Sequence, residues 1–316
     1  LMKKLILSLT LLLASAVVMA QSTRSIPADT AIVTQHQATI KGKKVPYKAT
    51  TGFQPVWNED GHPIASLFYT FYERTDVKDK DRRPLVISFN GGPGSASVWM
   101  HLAYTGPRRL KIDDEGYPIQ PYGVKENPHS ILDVADIVFV NPVNTGYSRI
   151  LDKGADRSQF FGVNQDVAYL AEWINTFVTR TNRWNSPKYL IGESYGTTRV
   201  SGLSLALQQS HWMYLNGVIL VSPTGLGIDR DGPVGAANRL PYYAAAAWYH
   251  KQLPADLQSK DLLDVLAEAE SYTMNKLLPT MAKGAWATDA EKNEAVENFA
   301  RYSGLDAEVI RQHNLD

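Results

Sequence analysis

Residues 188–208 read KYLIGESYGTTRVSGLSLALQ, and the fold turns on how that stretch is parsed. Tyr189, Leu190 and Ile191 make a short apolar run of strand type, and beyond Gly192-Glu193-Ser194-Tyr195-Gly196 the residues Val200, Leu203 and Leu207 recur on one helical face. The order is strand, sharp turn, helix, with Ser194 at the turn. Small residues on either side suit a serine held in a strained backbone conformation, because a Cβ two positions away would crowd the crossing of strand and helix. Ser194 then projects its Oγ clear of the backbone, at a helix N-terminus that favours negative charge. A bare G-x-S-x-G also occurs in ordinary turns. The flanking strand and helix select the nucleophile-elbow reading.

Upstream, residues 84–89 (PLVISF) form a continuous apolar strand that runs into Asn90-Gly91-Gly92-Pro93-Gly94. Such a junction is either a tight turn or a place where an α/β sheet presents backbone N–H groups to a ligand. A second buried strand, Ile137-Val138-Phe139-Val140, leads into Asn141-Pro142-Val143-Asn144-Thr145-Gly146-Tyr147-Ser148. Residues 166–179 then repeat apolar side chains at one-face helical spacing, and residues 217–221 supply one more strand. This alternation predicts an α/β fold, a mostly parallel sheet covered by helices on both faces. Residues 31–75, punctuated by Gly42 and Asp60-Gly61, read as antiparallel hairpins. After Gly225 the texture becomes helical. Residues 242–250 and 261–278 carry helical patterns, and Thr288 with Glu291 makes a capping box ahead of a helix closing near Gly304. The expected organisation is a signal peptide at 1–20, an α/β core at 21–225 and a helical lid or insertion at 226–316.

The chain has 316 residues, with 32 Lys plus Arg balanced by 32 Asp plus Glu, so no charge excess points to nucleic acid or an anionic membrane. Cysteine is absent, which removes disulfides, thiol nucleophiles and cysteine lipidation. Lys3-Lys4, an apolar stretch over residues 5–18, and Val18-Met19-Ala20 describe a secretory signal peptide cut after Ala20. A periplasmic or secreted protein is expected, with no membrane association after cleavage. His36, His62, His101 and His129 lack metal-ligand spacing, and no phosphate loop is present, so no metal and no cofactor are expected.

Asn90-Gly91-Gly92-Pro93-Gly94-Ser95-Ala96-Ser97, the stretch from Asn141 to Ser148, and Gly192-Glu193-Ser194-Tyr195-Gly196-Thr197 resemble the three signatures of the serine carboxypeptidase family (peptidase family S10). Order and approximate spacing agree, and the likeness runs from about Phe68 onward. The resemblance implies an α/β-hydrolase that removes the last residue of a peptide with a free C-terminus. Ser194 matches the nucleophile that forms an acyl-enzyme. The backbone N–H groups of Gly92 and Tyr195 match the oxyanion hole, and Asn90 and Glu193 match residues that bind the substrate carboxylate. A glutamic acid in that position repels a carboxylate when ionised and hydrogen-bonds to it when protonated, which implies a preference for acid pH. Ser88 stands where the family usually has tryptophan, Tyr104 where it has glutamate, and Ser95 where many members have cysteine. Asn144 replaces a glycine, and asparagine tolerates positive φ.

A serine hydroxyl needs a base, and this architecture supplies Asp and then His from loops after later strands. Only one strand follows the elbow, so the last strands of the sheet, with the triad Asp and His, are expected to lie beyond Asp316. None of His211, His250 or His313 is assigned as the base, and none of Asp229, Asp231, Asp256 or Asp264 as its partner. The chain as written is expected to be nearly inert and to carry an open, apolar sheet edge. Two further readings stand beside the carboxypeptidase. One is an esterase or acyltransferase on the same scaffold, favoured by Ser88 and Tyr104; the other is a non-catalytic remnant or binding module.

Overall fold

The computed structural model describes residues 27–152, 154, 156–224 and 232–315. The leader at 1–20, the cut after Ala20, Gly225, Asp229 and Asp231 lie outside the described residues. The chain divides after Thr224 into two compact units.

The first unit is built on an eight-stranded sheet. Strands β1 (Thr30–Ile40), β2 (Lys43–Trp57) and β3 (Pro63–Arg74) form an antiparallel meander. The β1–β2 turn is the two-residue Lys41-Gly42, both at positive φ (47° and 76°), the mirror-image turn whose twist matches that of the flanking strands. Four parallel strands continue the sheet: β4 (Leu85–Phe89), then, past the small hairpin β5 (Arg108–Leu110) and β6 (Val124–Glu126), β7 (Asp136–Val140). The short β8 (Arg149–Ile150) pairs with β3, and β9 (Lys188–Glu193) and β10 (Gly217–Val221) complete the set. The sheet order is β1-β2-β3-β7-β4-β9-β10. The chain thus leaves β4 for a neighbour on one side and returns to place β9 on the other. Such a reversal opens a crevice at the carboxyl ends of the two strands, where α/β sheets bind ligands.

Every residue of β4 is buried, which explains its unbroken apolar run. Leu85, Ile87 and Phe89 face helices α1 (Val163–Arg180) and α2 (Tyr195–His211), together with Leu190, Trp173, Phe177 and Leu203. Trp173 stacks on Phe177 at 5.1 Å, and Tyr69 and Phe71 meet these rings edge-on. Val86 joins Met100, Ile137, Phe139 and Ile191 on the opposite face. Where β7 begins, buried Asp136 accepts Arg83 Nε and Arg183 Nη1, both at 2.7 Å, and the N–H of Arg74. This charge-assisted cluster ties the end of β3 and the start of β7 to the segments leading into β4 and β9, at the end of the sheet away from the elbow.

Among the described residues, no strand follows β10, and β10 is an edge. Val218, Ile219 and Leu220 are 37%, 46% and 41% exposed. No helix of the described residues is long and apolar enough to cross a membrane.

The second unit is helical throughout residues 232–315 apart from its turns. One apolar cluster gathers Leu240, Leu277, Val296, Phe299 and Ile310, and another Ala244, Leu253, Leu257, Val265 and Ala269. The capping box forms: Thr288 Oγ1 accepts the N–H of Glu291 at 3.2 Å, and the Glu291 carboxylate accepts the N–H of Thr288 at 2.9 Å. That helix ends at Gly304 with φ 68°. The helix capped by Asp261 runs further than its pattern suggests, passing through a widened turn at Thr273–Leu277 into Leu278–Lys283. Pro279 lacks an N–H and would clash with the carbonyl four residues back, and the wider turn relieves both.

Candidate active site

Strand β9 ends at Glu193, and Ser194 takes φ 56° and ψ −126° before α2 begins at Tyr195. This backbone region is costly for a residue with a Cβ, by about 1–3 kcal/mol, and surrounding structure must hold it. Ser194 donates its N–H to Val221 O at 3.0 Å, and its carbonyl accepts the N–H and Oγ1 of Thr197 at 2.9 and 2.6 Å. The two glycines are required by contact. A Cβ on Gly192 would stand 2.1 Å from Gly196 O, and one on Gly196 would stand 3.0 and 3.1 Å from the carbonyl oxygens of Asn90 and Phe89. Helix and strand therefore cross at backbone distance.

The glycine turn after β4 lies against this elbow. A Cβ on Gly91 would fall 2.5 Å from Tyr195 N and 2.8 Å from Ser194 Cβ, so the turn and the first amide of α2 are neighbours. Gly92 adopts φ 109°. The amide of Tyr195 belongs to the first helical turn, whose N–H groups have no carbonyl partner within the helix.

Asn90 is buried, and its side-chain orientation is dictated by its partners. Its Oδ1 accepts the N–H of Met100 at 3.0 Å, so the amide nitrogen faces the other way and donates to Glu193 Oε2 at 2.9 Å. The structure thus joins Asn90 directly to Glu193, the residue preceding Ser194. The motif at 141–148 braces the turn from behind. Asn141 Oδ1 accepts the N–H of Ser97 at 3.0 Å, and Ser148 Oγ donates to Asn141 O at 2.7 Å while accepting the N–H of Phe68 at 2.8 Å. Asn144 sits at φ 59°, as its asparagine suggests.

A buried polar cluster absent from the sequence reading links all three motifs. Arg199 on α2 donates Nε to Asp166 Oδ2 at 2.6 Å, Nη1 to Asn90 O at 2.8 Å and Nη2 to Pro93 O at 3.3 Å. Its guanidinium lies 5.3 Å from the Tyr195 ring centre and 5.7 Å from that of Phe89. The other oxygen of Asp166 accepts the Tyr169 hydroxyl at 2.8 Å, and that hydroxyl oxygen accepts the N–H of Val143 at 3.1 Å. Burial and the neighbouring Asp166 charge push the Tyr169 phenol well above its ordinary range, so it stays a donor. A cavity of about 320 Å³ opens beside this cluster, walled by Pro93, Val143, Phe160, Phe161 and Tyr195.

Ser88 is fully buried, and its Oγ has no hydrogen-bond partner among the described residues. Tyr104 is 57% exposed. Neither is joined to Asn90 or Glu193 by a described hydrogen bond. His101 belongs to the packing: it stacks on Phe139 at 4.5 Å, bonds through Nε2 to the Tyr72 hydroxyl at 2.7 Å, and burial lowers its pKa to about 4. His211 closes α2, about 26 Å along the helix from Ser194. Among the described residues no imidazole is hydrogen-bonded to Ser194, and no group of acidic or histidine side chains could hold a metal ion.

A serine in a strained strand-to-helix turn, at the switch point of a sheet with helices on it and abutting a glycine turn, defines an α/β-hydrolase. The serine carboxypeptidase family model matches residues 40–310, and the chain belongs to that family of hydrolases. Putative serine carboxypeptidase-like 30 of Arabidopsis thaliana is 27% identical over 281 residues, covering 85% of this chain and 48% of that protein. Serine carboxypeptidase S10 family member 1 of Dictyostelium discoideum is 26% identical over 166 residues, covering 52% of this chain and 36% of the relative. Among solved structures, the prohormone-processing carboxypeptidase Kex1(delta)p of Saccharomyces cerevisiae aligns with 18% identity and a TM-score of 0.48, over 82% of this chain and 53% of that one. The chain spans about half, or less, of the length of these curated relatives.

Proposed function

We propose that the protein is a serine-type carboxypeptidase that releases the C-terminal residue of a peptide by acyl transfer through Ser194. The observation that carries this reading is the hydrogen bond from Asn90 to Glu193 immediately before the elbow. It gathers an amide donor and a carboxyl group one residue from the nucleophile, the two groups that a substrate's terminal carboxylate would meet. In the reaction, Ser194 Oγ adds to the last peptide carbonyl, and the developing oxyanion is received by the N–H groups of Gly92 and Tyr195. The C–N bond then breaks, the terminal residue leaves with a proton, and water hydrolyses the acyl-enzyme. The base that takes the Oγ proton is assigned to none of the described histidines. Sequencing the source gene past the codon for Asp316, in search of further strands bearing an aspartate and then a histidine, tests where that base comes from. The leader motif supports a periplasmic or secreted location.

The reading is tested on the full-length protein with a blocked dipeptide, its C-terminal amide and a simple ester. A carboxypeptidase cleaves the free acid far faster than the amide, and more so at acid pH. Ser194→Ala should lower that rate by about 10⁴-fold or more, and a variant that kept its rate would overturn the assignment. An esterase or acyltransferase is the second reading. It is favoured by Ser88, whose buried Oγ has no hydrogen-bond partner among the described residues, and by the exposed Tyr104, which leave Asn90 and Glu193 of the family's carboxylate-binding positions. Fast turnover of the ester with no preference between acid and amide would select it.

A further inference from the structure

Both oxyanion donors named above sit on different segments. Gly92 belongs to the turn after β4 and Tyr195 to the start of α2, and a hole made from two segments is only as precise as the joint between them. Arg199 spans that joint. Its side chain leaves α2 five residues after Ser194 and reaches the turn, where its two terminal nitrogens bond the carbonyls of Asn90 and Pro93. Those carbonyls flank Gly91 and Gly92, so the guanidinium grips the turn on both sides of the donor. The same group lies against the ring of Tyr195, the residue that supplies the second donor.

The grip is itself held. Asp166 orients the guanidinium through Nε and neutralises it, and the Tyr169 hydroxyl occupies the remaining carboxylate oxygen while receiving the N–H of Val143. Arg199 is 1% exposed, and every bond runs between parts of the chain more than thirty residues apart or across the motifs, except the Asp166–Tyr169 link within α1. A planar fork with fixed donor directions holds two carbonyls three residues apart in one geometry, whereas an ammonium is a point charge on a flexible stem that sets no such direction. We infer that Arg199, clamped by Asp166 and Tyr169, is a positioning residue that fixes the Gly92 turn relative to the Tyr195 amide. Its described hydrogen bonds go to Asp166 and to the turn, none to Ser194. This inference rests on the oxyanion assignment made above.

The test separates positioning of the oxyanion donors from general loss of structure. A blocked amino boronic acid probes the donors: Ser194 Oγ adds to the trigonal boron, the hydroxyl proton leaves to solvent, and the tetrahedral boronate carries negative charge where the oxyanion would sit. A blocked dipeptide with a free carboxylate, measured in a Ser194→Ala background where it is not turned over, probes ground-state binding. Arg199→Lys keeps the charge beside Asp166 but loses the fork. It should weaken the boronic acid by about 10²-fold, the cost of a misplacement near 1 Å, and leave the dipeptide within about twofold. The pair Arg199→Met with Asp166→Leu removes both buried charges together, and it should show the same selective loss if Arg199→Lys does not fold. Equal weakening of both ligands, or a folded double variant that binds the boronic acid as the parent does, would overturn the inference. All of these measurements use the full-length protein, and a full-length parent that fails to bind the boronic acid at all would sink the Ser194 oxyanion assignment, and this inference with it.

Discussion

Gly192 and Gly94 are both glycines of the motifs, and their surroundings separate them. A Cβ on Gly192 meets the Gly196 carbonyl carbon and oxygen, whereas a Cβ on Gly94 meets nothing within 4 Å. Gly192→Ala is expected to cost about 2–3 kcal/mol, since backbone cannot yield as a side chain can, and Gly94→Ala less than about 0.5 kcal/mol. Urea unfolding of the two variants checks this, and an undisturbed Gly192→Ala would mean that strand and helix do not cross as closely as described. The elbow glycines were legible in the sequence because a turn of this kind leaves a local pattern. Arg199 and Asp166 were not. Asp166 looks like an ordinary acidic residue in the first turn of a helix and Arg199 like a solvated face, and only the meeting of α1 with α2 buries the two together.

At the scale of the element, the strands with unbroken apolar runs were read correctly, β4, β7 and β9 among them, because burial on both faces writes itself into composition. In β1 the alternation of buried and exposed residues is confined to Ala38-Thr39-Ile40. Its outer part, Thr30 to Gln37, is exposed and mostly polar, and it is a strand because its backbone pairs with β2. β10 presents the opposite case, an apolar strand with one side unpaired among the described residues. Such an edge templates pairing with another chain. We expect the 316-residue chain to self-associate at micromolar concentration and Ile219→Lys to reduce that association. Sedimentation analysis of both is the measurement, and a parent that stays monomeric throughout would contradict the expectation.

For the molecule as a whole, stability should depend on pH through His101. Burial lowers its pKa to about 4, below the 6.5 of the free side chain. Between these values the unfolded chain binds a proton that the folded chain does not, so stability of the sheet unit falls as pH drops from about 6.5 toward 4. The loss is on the order of 3 kcal/mol at most. His101→Leu removes the titration and leaves the Tyr72 hydroxyl without its partner, a cost that does not vary with pH in this range. Urea unfolding at several pH values should therefore give a flatter profile for the variant, and parallel profiles would refute the account.

The sequence by itself determined the α/β class, the serine at the elbow, the glycine turn and the capping of the helix at Thr288. Each of these is a local event, set by a period of apolar residues or by a backbone angle that few side chains accept. Tertiary structure decided that β4 and β9 would be neighbours, that Asn90 would donate to Glu193 across more than a hundred residues, and that one buried arginine would bridge the turn and the elbow helix. Those facts depend on which segments pack together. Packing is a property of the whole sheet and its helices, and no single stretch of sequence carries it.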